Sequence, residues 1–179
     1  MAVTLTTPRL RLAEWSIHDH DLLRTLAGDD RMVRFVGNRR PWSPEVVARR
    51  HAAALAHWAA HGIGWLTVGF HDRPEAVGLV SVTHRTAEES ALGEPAIELG
   101  WWVAPTAWGR GVATEAVRAA RDAAFGHTDL LYAAYQSGND ASGRVMTKLG
   151  MTHRLDFTDD DGHSCHVHAL TRQEWRRLG

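Results

Sequence analysis

Residues 96–126 confine the fold more than any other stretch of the chain. AIELGWWV, 96–103, is a mostly apolar strand, and Ala104-Pro105 ends it, because proline cannot donate to a central ladder. Gly109 and Gly111 then form a turn, and residues 112–126 read as a helix with Ala116, Val117, Ala120 and Ala124 on one face. A strand, a glycine turn and a helix in this order aim several unpaired backbone N–H groups at one point beside a positive helix terminus. Such a point suits phosphate or pyrophosphate. Glycine serves there because Cβ atoms would hold an incoming phosphate off the amides and disfavour the turn dihedrals.

Two common phosphate motifs do not fit. The Walker pattern G-x-x-x-x-G-K-[ST] is absent. A dinucleotide fingerprint would need a third glycine where Thr114 stands, and the next strand, LLYAAYQS, lacks an acidic residue for a ribose. A bare GxG turn also serves purely structural ends, so the surrounding elements have to decide.

Residues 3–15 alternate Leu10 and Leu12 with Arg9 and Arg11, the period of a half-buried strand. Ser16 caps a helix over 17–27 that Gly28 ends, and 34–42 is a polar loop. Ser43-Pro44-Glu45 starts an alanine-rich helix that runs to His61 and stops at Gly62. Strands are expected over 63–70 and 76–85, joined by HDRPE, with a loop over 86–95. LLYAAY at 130–135 is another strand, Asp140 to Leu149 a helix closed by Gly150, and 151–158 with 164–171 a hairpin around DDDG. This order predicts an α+β fold with a mixed central sheet of about seven strands flanked by about four helices, not a doubly wound one. No repeat or linker divides the chain, so residues 1–179 are expected to form a single domain.

Twenty basic residues against 21 acidic ones leave a net charge of -1. That lacks the positive excess of a nucleic-acid binder, and no nucleic-acid partner is expected. Only Lys148 among the basic residues is a lysine; arginine can signal phosphate recognition, but a bias across the whole chain reads first as genome composition. With Cys165 the sole cysteine, no intrachain disulfide is available, which fits a reducing cytoplasm. No apolar run is long enough for a membrane span and the first residues lack a signal peptide's pattern, so a cytoplasmic location without membrane contact is expected.

Four motifs in order, T-P-R-L-R-L at 7–12, W-G-R-G-V-A-T-E-A at 108–116, N-D-A-S at 139–142 leading to K-L-G-M at 148–151, and L-T-R-Q-E-W at 170–175, resemble the GNAT family of coenzyme A-dependent N-acyltransferases, in particular its RimJ/RimL-like branch. The resemblance implies a GNAT-like, mostly antiparallel sheet in which the strand before the turn splays from the next one, leaving a slot for the acyl-CoA thioester. It further implies that backbone groups of Trp108, Gly109, Arg110, Gly111, Val112, Ala113 and Thr114 wrap the pyrophosphate. Trp101, Trp102 and Val103 would run along the pantetheine arm, with Asn139 and Ser142 facing the slot from the other side. One departure stands out: where many members of the superfamily place a tyrosine general acid, this chain has Met146.

Acyl transfer to an amine needs a neutral nucleophile, a polarised thioester carbonyl and a proton for the leaving thiolate. Deprotonating an α-amine at pH 7 costs about 1 kcal/mol, a lysine roughly 4 to 5. Glu98 is the candidate base through water, against the alternative of a solvent-facing strand carboxylate. Ser142 is the candidate to hold or protonate the sulfur, against that of an early-helix serine bonding its own backbone. Backbone N–H near Val103 would polarise the carbonyl. His166 and His168 share a strand face and i, i+2 pairs can bind metal, but no carboxylate joins them in the sequence and no metal is expected. On the acceptor side Arg39, Arg40 and Trp42 stand in the 34–42 loop, with His84 and His153 as further candidates; each also reads as an ordinary exposed side chain.

The expected function is transfer of an acetyl group from acetyl-CoA to a primary amine, a protein N-terminus or a small molecule, by direct attack in a ternary complex. A catalytically weak coenzyme A-binding or sensory module, and an enzyme using another donor such as succinyl-CoA, are the alternatives. The partner is then a small-molecule or peptide amine, and a homodimer is compatible with the sequence.

Overall fold

Pro8 makes the first difference from the sequence reading. In the computed structural model, which describes residues 3–178, the alternating stretch 3–15 is two strands rather than one. β1 (Thr4–Thr6) and β2 (Leu10–Glu14) form an antiparallel hairpin with Thr4 opposite Ala13. Proline lacks the N–H that a continuous strand would need, and the Thr7 amide closes the turn on Leu10 O at 2.9 Å.

Ser16 and Asp19 cap each other reciprocally, opening a 3₁₀ turn that leads into α1 (His20–Ala27). Asp29 caps a single turn, α2 (Asp30–Val33), which the sequence reading left unassigned. α3 (Pro44–His61) starts at the Ser43 cap and ends at Gly62, whose φ of 64° is left-handed. Next come β3 (Leu66–Phe70), β4 (Ala76–Arg85), β5 (Ala96–Val103), α4 (Val112–Ala124), β6 (Leu130–Gln136) and α5 (Asp140–Lys148). β7 (Thr152–Thr158), β8 (Ser164–Thr171) and a short α6 (Arg172–Arg176), capped by Thr171 and Glu174, complete the chain.

One sheet of eight strands runs β1-β2-β3-β4-β5-β6-β8-β7. All neighbours are antiparallel except β5 and β6. Among the described residues the sheet has one strand more than expected because of the first hairpin, and the short α2 and α6 raise the number of α-helices to six.

Alanines on α4 let it lie close to the sheet. Ala116, Val117, Ala120 and Ala124 are fully buried, within one core with Leu10, Leu12, Ile97 and Leu131. Much of the tryptophan content serves packing too: Trp15 meets Trp65 edge to face with ring centres 5.4 Å apart and donates to His51 Nδ1 at 3.1 Å. Trp58 donates to Trp65 O at 2.6 Å. Among the described residues no helix is long and apolar enough to cross a membrane.

At Gly78 β4 lies close against β5, and a Cβ there would collide with Trp102 O. Gly78→Ala should therefore push the two strands apart and destabilise the protein by about 1–3 kcal/mol. Chemical denaturation measures this, and an unchanged midpoint would count against the close approach.

Candidate functional site

The parallel pair β5 and β6 is in register at only two positions, Ile97 with Leu131 and Glu98 with Tyr132. Beyond them β5 continues to Val103 and β6 to Gln136 without pairing to each other. Their far ends are drawn to different neighbours. Ala104 donates to Val77 O at 2.7 Å, which keeps β5 on the β4 side, and Ser137 donates to Ser164 O at 2.8 Å, which keeps β6 on β8. The result is a wedge, closed at Glu98 and Tyr132 and open toward Val103 and Gln136.

The glycine turn follows the open end of β5. Gly109 and Gly111 have φ of 72° and 75°, and Gly111 is the N-cap residue of α4 with no side chain capping that helix. Among the described residues nothing accepts a hydrogen bond from the amides of residues 109–114. Six successive free amides beside a helix N-terminus form an anion cradle. The turn is anchored from outside: Glu115 accepts from Thr7 Oγ1 at 2.6 Å and from Arg9 Nε at 2.7 Å, and Arg9 Nη1 donates to Arg110 O at 2.9 Å. Trp108, half exposed, donates its indole N–H to Val103 O. Arg110 lies over the Phe70 ring, 4.8 Å from its centre. Beside the cradle, on the flank of α4 rather than in the wedge, an open groove of about 840 Å³ is lined by Arg9, Gly111, Thr114, Arg118 and Lys148 among others. The groove also holds Asp122 and the Arg9–Glu115 ion pair, so it is the free amides beside it, with Arg118 and Lys148 nearby, that suit a phosphate ligand and fit the coenzyme that the sequence resemblance implies.

Trp101, Trp102 and Val103 occupy the part of β5 that pairs with β4 but not with β6. Trp102 packs against Trp42 with ring centres 5.0 Å apart, and Arg50 covers Trp42 from 5.8 Å. Arg39, the one described non-glycine residue with positive φ, at 63°, donates from Nε to Gln136 Oε1 at 2.9 Å. The 34–42 loop therefore reaches both arms of the wedge, Trp42 on β5 and Arg39 on β6.

Gln136, buried at the end of β6, is the residue that sequence reasoning missed. Its Nε2 donates to Gly37 O and to Asp159 Oδ2, each at 2.8 Å, so one side chain ties the 34–42 loop and the β7–β8 turn to the open end of β6. A polar residue ending the apolar run LLYAAYQ was the available signal.

On the far side of β6, Asn139 Oδ1 accepts from the Ser142 amide at 3.4 Å as the N-cap of α5. The Ser142 hydroxyl is half-buried and has no hydrogen bond among the described residues, so it does not bond its own backbone. Met146 is packed into the core at 1% exposure and offers no proton. Tyr135 on β6 lies against Gly143, where an added Cβ would come 3.0 Å from the phenol oxygen.

Glu98 sits at the closed end. Its Oε2 accepts from Arg85 Nε and lies equally close to Nη2, both at 2.7 Å. Burial opposes charge on Arg85, but Glu98 holds the guanidinium above its ordinary value. Burial, with the Glu98 charge, pushes the neighbouring Tyr132 phenol up to about 12. Tyr132 therefore stays protonated at neutral pH.

His84 is not brought together with Arg39 and Trp42. It pairs with Ile97 at the closed end, and its ring stacks 4.6 Å from that of His61, with His57 5.8 Å away. His153 lies on the edge strand β7, with β8 and β6 between it and the wedge.

The acetyltransferase (GNAT) domain family matches residues 9–152 of the chain. Among solved structures, an acetyltransferase from Agrobacterium tumefaciens superposes with a TM-score of 0.78 at 26% identity, over 95% of each chain. A GNAT-family acetyltransferase from Bacillus anthracis gives 0.78 at 18% identity, over 96% of this chain and 99% of that one. RimL, a ribosomal L7/L12 alpha-N-protein acetyltransferase solved with coenzyme A, gives 0.77 at 14% identity, over 94% of this chain and 98% of that one. With a wedge between β5 and β6 that opens beside a cradle of free amides, and a family match over most of its length, this chain belongs to the GNAT acetyltransferase family.

Proposed function

We propose that this protein transfers an acetyl group from acetyl-CoA to the α-amine of a protein or peptide. The observation that carries the reading is the β5–β6 wedge leading to six free amides at residues 109–114. Acetyl-CoA, when bound, supplies the activated acyl thioester. The chain's own groups hold it: amides of residues 109–114 take the pyrophosphate, and the free edge of β5 at Trp101 to Val103 takes the pantetheine arm. A backbone N–H near Val103 polarises the carbonyl. Ser142, with its hydroxyl free, holds or protonates the departing sulfur. The acceptor enters between Trp42 and Arg39 on the loop over the wedge.

Two features favour an α-amine. Arg85 occupies one oxygen of Glu98, leaving the other to order a water at the closed end, which is modest base assistance. An amine that costs about 1 kcal/mol to deprotonate needs little more, whereas lysine at roughly 4 to 5 kcal/mol does. The likeness to RimL, an alpha-N-protein acetyltransferase, points the same way.

Melting with acetyl-CoA at about 100 times its dissociation constant should add about 2.7 kcal/mol, raising Tm by roughly 5 to 11 °C. Thiol release should then be faster with peptides bearing a free N-terminus than with N-blocked, lysine-containing peptides or small amines. No shift with any acyl-CoA would overturn the reading, and a shift without thiol release for any amine would leave a coenzyme A-binding module. Glu98→Gln should lower kcat on the order of 100-fold with coenzyme A affinity unchanged. A rate matching the wild type from about pH 6 to 9 would remove Glu98 as base.

A further inference from the structure

The β7–β8 hairpin at the sheet edge is not regular. Its register passes from His153 opposite His168 to Leu155 opposite Val167, leaving Arg154 as an additional residue. Without that bulge, residues three apart on a strand would point to opposite faces. With it, His153 and Asp156 share the face of His166, the residue opposite Asp156. Arg154 is turned elsewhere and donates to both Glu174 oxygens, at 2.7 and 2.9 Å. The rings of His153 and His166 consequently converge on one point: His153 Nε2 and His166 Nδ1 each lie 2.7 Å from Asp156 Oδ1.

We propose that His153, Asp156 and His166 form a binding site for one divalent transition-metal ion of the zinc, cobalt, nickel or copper class. The three donor atoms lie within 4.8 Å of one another. Around a tetrahedral ion with bonds of about 2.0–2.1 Å they would stand about 3.3 Å apart. The two His–Asp separations of 2.7 Å must widen by about 0.6 Å and the two nitrogens, within 4.8 Å of each other, must close on the ion, and side-chain exposures of 51%, 55% and 30% leave room for this and for water as the fourth ligand. Two imidazole nitrogens and a carboxylate favour ions of this class over magnesium or calcium.

The surroundings of His166 are those of a metal ligand. Its Nε2 lies 2.9 Å from Ser137 Oγ. A hydrogen carried on Nε2 and donated to that hydroxyl leaves Nδ1 with its lone pair toward the ion, the second contact that orients most ligating histidines. On the same face His168 packs its ring 5.6 Å from that of His153, walling the site on one side. The site, on β7 and β8, is separated from β5 by β6 and takes no part in the acyl transfer proposed above, so each reading can fail without the other.

The test is titration of the purified full-length chain with zinc by calorimetry, with cobalt as a visible-absorption probe and magnesium as control. One zinc per chain, a cobalt spectrum of nitrogen and oxygen ligation, and no response to magnesium are expected. His153→Ala and Asp156→Asn should each weaken zinc by about tenfold or more, and Ser137→Ala by roughly tenfold, with circular dichroism unchanged. Zinc should raise Tm in the wild type and not in the His153→Ala/His166→Ala double variant. Absence of zinc binding by the wild type would overturn the proposal. So would unaltered affinity in the double variant, which would place the ion on another cluster such as the stacked His57, His61 and His84 rings.

Discussion

Gly111→Val is expected to weaken coenzyme A binding by on the order of 10- to 100-fold while leaving a folded protein. Gly111 holds φ of 75° at the N-cap of α4, and a Cβ there would meet only Arg9 Nη2, at 3.4 Å. Space is therefore not the obstacle. The left-handed backbone costs a residue with a side chain about 1–2 kcal/mol, and a β-branched one suffers most. A valine relieves that strain by rotating the turn, which swings the amides of residues 109–114 out of convergence and pulls on the bond from Arg9 Nη1 to Arg110 O. Each 1.4 kcal/mol of lost interaction is a factor of ten in Kd. Calorimetric titration with coenzyme A measures the change, and Gly111→Ala, at the same φ but without branching, should fall between. Wild-type affinity in Gly111→Val would refute the placement of the pyrophosphate.

Gln136→Leu should lower stability and impair acceptor binding together. Gln136 is 4% exposed and serves Arg39, Gly37 O and Asp159 at once. Leucine fills a similar volume but leaves those partners without their bonds in a partly dry place, a penalty of about 1–3 kcal/mol, or roughly 2–4 °C of Tm for each kcal/mol. Because Arg39 then loses its anchor on β6, the 34–42 loop is no longer held over the wedge. KM for the amine should rise several-fold while coenzyme A affinity, which depends on the distant turn, stays within about twofold. Gln136→Glu, which keeps an acceptor for Arg39 but not the amide donor, separates the two halves of the network. Equal loss of affinity for coenzyme A and acceptor would mean that the substitution acts through general unfolding.

Much of the fold was legible along the chain because its signals are local. Ser43-Pro44 and Gly62 bound α3, Pro105 ends β5, and the period-2 runs at 76–85 and 164–171 are strands with those bounds. The first hairpin was missed because residues 3–15 keep an alternating pattern through Pro8, and only the pairing of Thr4 with Ala13 shows the reversal. Short α2 and α6 escaped because one turn of helix has no period to read. The positive φ and the free amides of the glycine turn were legible, since they follow from residue type and element order. Gln136, the occupation of Glu98 by Arg85 and the convergence of His153, Asp156 and His166 were not, because each joins residues from different strands or loops.

What the sequence alone determined is the longer elements and the backbone conformation of the glycine turn, because caps, prolines, glycines and hydrophobic period act within a few residues of themselves. What only the tertiary structure decided is the wedge and everything arranged on it. The order of strands, with β8 inserted between β6 and β7, the pull of Val77 on β5 and of Ser164 on β6, and a bulge at Arg154 are long-range events. They turn separate side chains into sites, since register between distant strands is set by packing of the whole sheet and not by any one segment.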